Sequence, residues 1–108
     1  MEVRSKVWLE KDGELVFGKG KGLIFRAVEE TGSINKAAQK LGMSYRHAWS
    51  YIRSSEKRLG KSLVLKARGG ENGGGAVLTD YAKQLLIKFE CFEQDIQEYV
   101  DKRYKEVF

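Results

Sequence analysis

Tyr45, Arg46, Trp49, Ser50, Arg53 and Lys57 are spaced to share one face of a helix. The opposite face of that helix carries Ala48, Ile52, Ser55 and Leu59 at spacings of four, three and four. A guanidinium presents a rigid fork of N–H donors that matches the O6 and N7 acceptors of a guanine, and a serine hydroxyl can serve as donor or acceptor. Aromatic rings such as Tyr45 and Trp49 can touch thymine methyls or sugars. This is the chemistry of reading a groove, with no bond made or broken. Arg46 is the foremost candidate for a base contact and Arg53 the second. Trp49 borders the inward row, so half-buried packing is as good a reading of it as a contact.

Other chemistries lack their residues. His47 is the one histidine and Cys91 the one cysteine, and no carboxylates converge in the sequence, so neither a metal site nor a nucleophile–base pair can be assembled. The expectation is no enzyme, no cofactor and no metal. His47, in a basic helix, reads as a surface or phosphate-contacting imidazole. The glycine run Gly18–Gly22 places Leu23 where the third glycine of a dinucleotide-binding G-x-G-x-x-G belongs, and Gly73-Gly74-Gly75 is followed by no Lys-Ser/Thr pair. No apolar stretch approaches the roughly 18 residues of a membrane span, and Met1–Lys6 lacks the apolar core of a secretion signal. Together with the lone thiol, these features predict a cytoplasmic protein.

The net charge of +5 is unevenly spread. Residues 33–68 hold nine basic and one acidic side chain, whereas residues 1–32 balance at six each and residues 69–108 hold five basic and eight acidic. A cationic block between a neutral and an acidic flank is a local field suited to a polyanion.

The elements that must position these residues follow from caps and glycines. Ser44 can cap the helix of the candidate residues and Gly60 can close it. A preceding short helix, capped by Ser33, turns Ile34, Ala37, Ala38 and Leu41 inward and stops at Gly42; the small Ala37 and Ala38 permit the close approach that a helix-turn-helix needs. Lys36 and Ser44, with the first-turn amides, are placed to clamp flanking phosphates. Beyond Gly60, Leu63–Arg68 and Ala76–Leu78 read as strands joined by a glycine-rich tip, a wing on which Lys66 and Arg68 can reach the DNA backbone or minor groove. Upstream, Val3–Glu10 and Glu14–Phe17 flank Lys11-Asp12-Gly13 as a hairpin, and Gly18–Gly22 reads as a connector into a helix bearing Leu23, Ile24, Ala27 and Val28.

A final helix begins at Thr79-Asp80 and runs close to the C-terminus without proline or glycine. Leu78, Ala82, Leu85, Phe89, Phe92, Ile96 and Tyr99 alternate spacings of four and three along it, the pattern of a packing seam. A small domain can cover only the first turns of so long a helix. The expectation is a homodimer through Leu85, Phe89, Phe92, Ile96 and Tyr99; the alternative, which can hold in part alongside it, folds the helix back over its own N-terminal hairpin.

The fold class expected is mostly α with small β hairpins: a single winged helix-turn-helix domain over residues 1–108, with residues 79–108 as its dimerisation helix. The segment Ser33–Gly60 resembles the helix-turn-helix of LysR-type regulators. GSINKAA, MSYRHAW and the wing ARGGENGGGAVLT followed by a long helix resemble the N-terminal DNA-binding domain of the ModE family of molybdate-dependent transcription regulators. The likeness covers nearly the whole chain. It implies a dimeric DNA-binding regulator near genes for molybdate uptake and use, with Ser44, Tyr45, Arg46, Trp49, Ser50 and Arg68 at matching positions. Full-length members of that family continue into molybdate-binding domains, so the resemblance implies a regulator without its own molybdate sensor, either constitutive, paired with a separate ligand-sensing protein, or answering another signal. The alternative reading is a winged-helix module that docks a protein and binds no DNA.

Overall fold

The computed structural model describes residues 1–67 and 75–108. Asp12 (φ 52°) and Gly13 (φ 79°) both take left-handed backbone and reverse the chain between β1 (Trp8–Lys11) and β2 (Glu14–Gly18). Leu9 pairs with Phe17 but Glu10 with Leu15, so Val16 is the extra residue of a bulge. Consecutive residues of a regular strand point to opposite faces; the bulge lets Val16 and Phe17 both bury. The first strand is shorter than expected, because Val3–Val7 find no partner strand.

The glycine-rich connector is instead the first turn of α1 (Lys19–Thr31). Glycine disfavours a helix interior by about 1 kcal/mol relative to alanine, and packing offsets that here. A Cβ on Gly22 would lie 3.6 Å from the Phe17 ring, and Lys21 turns inward to donate hydrogen bonds. Gly32 (φ 70°) ends α1, its N–H returning to the Val28 carbonyl at 2.8 Å.

Ser33 caps α2 (Ile34–Lys40) by accepting the Lys36 N–H, and Ser44 caps α3 (Tyr45–Leu59) by accepting that of His47. Gly42 (φ 69°) makes the turn between the two helices. Ala37, Ala38 and Ala48 are all buried, so the helices approach with little side chain between them. β3 (Val64–Ala67) and β4 (Gly75–Leu78) pair antiparallel. The Ala76 N–H donates to the Gly32 carbonyl at 2.8 Å, which ties β4 to the α1–α2 turn. Thr79 accepts the Ala82 N–H to cap α4 (Asp80–Val107), and its hydroxyl donates to the Ser62 carbonyl at 2.8 Å. The expected fold class is therefore the observed one: helices with two small hairpins, one of them the wing.

The core gathers Phe17, Ile24, Phe25, Val28, Ile52, Leu63 and Leu86 between the hairpin, the three short helices and the start of α4. Phe17 stacks on Phe25 at 5.6 Å and meets Phe89 edge-on at 5.0 Å. Phe89 thus fills the protein's own core, where a role in a dimer seam had been expected. α4, about 42 Å long at 1.5 Å per residue, buries only Ala82, Leu86 and Phe89. Its far half carries Phe92 and Tyr99 exposed and Ile96 half-buried. The N-terminal segment runs beside this half: the Ser5 hydroxyl donates to the Gln97 side-chain carbonyl at 2.6 Å. Folding back on itself therefore covers part of α4. Among the described residues no helix is long and apolar enough to cross a membrane.

Candidate nucleic-acid interface

The outward face of α3 is built on Trp49. Half-buried against the core, its ring takes the Tyr45 ring edge-on at 6.4 Å and carries the Arg53 guanidinium 4.7 Å above it. The indole packs inward, and its ring also serves as a platform for the arginine. Residues four apart stand one above another on a helix, so Tyr45, Trp49 and Arg53 form one ridge continued by Lys57, with Arg46 and Ser50 in the adjoining row. Tyr45, Arg46, Ser50 and Arg53 are all exposed. His47 belongs to another row, stacked on Tyr51 at 4.7 Å.

Between this ridge and the wing runs a groove of about 730 Å³, lined by Trp49, Arg53, Glu56, Lys57, Lys61, Ser62, Leu65 and Lys66 among others. Four cations thus face one carboxylate. Among the described residues Lys57, Lys61 and Lys66 enter no ion pair. The structure brings four expected residues, Trp49, Arg53, Lys57 and Lys66, into this groove. Lys36 is exposed on α2 and Ser44 sits at the α3 cap, both outside it, and the Ser44 hydroxyl is already engaged with His47. Arg68 lies outside the described residues.

The opposite side of α3 is anchored to the N-terminal hairpin. Lys21 Nζ donates to Ser54 Oγ at 2.9 Å and to Ser55 Oγ at 2.8 Å, and Ser55 donates on to the Val16 carbonyl at 2.7 Å. Burial, and then the nearby Arg58 charge, hold the Lys21 pKa below its ordinary value. Arg58 donates to the Glu14 carboxylate and to the Leu15 carbonyl. The outward ridge and the anchored face thus use different residues of one helix.

Sequence reasoning missed Lys61 and Glu56 at the groove. Lys61 follows the helix-ending Gly60, where periodicity carries no signal, and its Nζ stands 5.9 Å from the Tyr81 ring of α4. Glu56 was readable only as the sole acid in a basic block. Of the seam residues on α4, Leu85 is half-buried, Phe89 internal, and Phe92, Ile96 and Tyr99 at least partly open.

Residues 23–83 match the bacterial regulatory helix-turn-helix protein, lysR family. The molybdenum transport protein ModE of Azotobacter vinelandii is 34% identical over 79 residues, which are 73% of this chain and 29% of that protein. The DNA-binding transcriptional dual regulator ModE of Escherichia coli K12 is 35% identical over 78 residues, 72% of this chain and 30% of that protein. The chain spans about 30% of the length of these relatives. In fold it is similar to the crystal structure of the CbnR_DBD–DNA complex, with a TM-score of 0.64 at 20% identity over 82% of this chain and 97% of that one. The cap, turn and alanine packing that set α2 against α3 fall within the matched residues, and the chain belongs to the lysR family of bacterial regulatory helix-turn-helix proteins.

Proposed function

We propose that this chain is the DNA-binding part of a homodimeric transcription regulator that acts in the cytoplasm, by binding alone, on genes of molybdenum uptake or use. α3 enters the major groove, with Arg46 and Arg53 at base edges and Tyr45, Ser50 and Trp49 beside them. Lys57, Lys61 and Lys66 meet phosphates in the groove before the wing, and Lys36 and Ser44 flank the helix N-terminus. Arg68 extends the wing's contact. The observation that carries this reading is the continuity of the exposed α3 ridge with the cationic groove, facing away from the Lys21 and Arg58 anchors. The molybdenum assignment is supported by the names of the relatives. The dimer is supported by the open Phe92, Ile96 and Tyr99.

Affinity for random-sequence duplex, titrated at several salt concentrations, tests the DNA reading. About six phosphate contacts per subunit give a slope near −5 of log affinity against log salt. Absence of binding at low salt would overturn it and favour a protein-docking module. Repeating the titration with molybdate on a selected sequence tests the molybdenum link: unchanged affinity excludes direct control of this part by the oxyanion.

A further inference from the structure

We infer that Glu56 is a positioning residue for sequence recognition, tying the root of the wing to Arg53; this rests on the DNA-binding reading above. Glu56 is the only acid among nine bases in residues 33–68, and its side chain is 15% exposed. Its two oxygens face different elements. Oε2 accepts the backbone N–H of Leu63 at 2.9 Å and, more weakly, that of Val64 at 3.4 Å, where the chain enters β3. Oε1 faces Arg53 Nη1 at 3.7 Å. The ring of Trp49 also lies against the guanidinium, its centroid 4.7 Å from Cζ.

Arg53 is 70% exposed, so neither burial nor neighbouring backbone restricts its long side chain. Its two neighbours, the Trp49 ring and the Glu56 carboxylate, are what hold it. The ion-pair separation exceeds hydrogen-bond length, and among the described residues Arg53 donates no hydrogen bond. Its fork is therefore aimed but unspent, the condition for bidentate contact with a base edge. Satisfying two amides needs only a carbonyl oxygen, and a full negative charge opposes an approaching duplex. The charge serves the arginine. Because the same carboxylate holds the wing root, displacement of the wing on DNA also displaces the Arg53 partner.

The test uses two duplex probes of equal length, one enriched from a random pool by the unaltered chain and one of random sequence, and reads the ratio of their affinities. Glu56→Gln keeps an acceptor for Leu63 and Val64 and removes the charge. The ratio is expected to fall about fivefold or more, while binding to the random duplex holds or tightens as a negative charge leaves the interface. In an Arg53→Ala background, Glu56→Gln should leave the ratio unchanged. Partial unfolding scales both affinities equally, so the ratio survives a destabilised variant. A ratio unaltered by Glu56→Gln, or lowered equally in both backgrounds, would overturn the inference alone. A parent chain that enriches no sequence overturns the sequence-reading function, and the inference with it.

Discussion

Arg46 and Arg53 are both exposed arginines of one helix, yet their surroundings differ. Arg53 is braced by Trp49 and Glu56, whereas Arg46, two turns nearer the helix N-terminus, has no side-chain partner among the described residues. A base contact by Arg46 predicts that Arg46→Ala weakens binding to the selected duplex by about 1–3 kcal/mol and relaxes the sequence preference. Equal weakening on all sequences would assign Arg46 to a phosphate. Lys21 is the counterpart on the scaffold face. Its pKa lies below 10.5 in the folded chain, so between the depressed value and 10.5 the unfolded chain binds more protons. Stability should therefore rise with pH through that window, and Lys21→Met should flatten the rise in denaturation midpoints measured from pH 7 upward. The outward residues of α3 were legible from periodicity alone. The Lys21 network and Glu56 were not, because each joins residues whose proximity only the tertiary fold creates.

At the scale of elements, caps and glycines carried most of the information. Ser33, Ser44, Gly32, Gly42 and Gly60 end or begin helices where their chemistry says they should. Gly42→Ala would leave the new methyl without a neighbour within 4 Å, so its cost is the left-handed backbone at φ 69°. A loss of about 1 kcal/mol is expected, read as a lower thermal midpoint with unchanged helix content. The same glycine chemistry misled at Gly18–Gly22. Helix propensity is a weak prior, and there the contact of Gly22 with Phe17 and the inward hydrogen bonds of Lys21 outweigh it. The first strand was overextended for a related reason: β-favouring residues such as Val3 and Val7 form a strand only where a partner strand exists.

At the scale of the whole molecule, the chain measures 55 × 29 × 23 Å, with α4 running well beyond the core. The N-terminal segment occupies one side of that extension through Ser5 and Gln97, while Phe92 and Tyr99 stay exposed. Light scattering of the parent chain should give a dimer mass, and Phe92→Asp or Ile96→Asp should shift it to monomer, because each would bury a charge in the seam. A monomeric parent would contradict the proposed assembly. The far half of α4 was legible as a packing stripe, but how the stripe is shared between core and exterior was not, since the inward place of Phe89 depends on its tertiary contact with Phe17. The central claim concerns where the duplex sits. The most direct measurement is a map of backbone amide NMR shifts on adding duplex DNA. The largest changes are expected at residues 44–57 and 61–66, and little change at residues 92–104. Shifts concentrated on the distal half of α4, with those of Tyr45, Arg46 and Arg53 unmoved, would contradict the account.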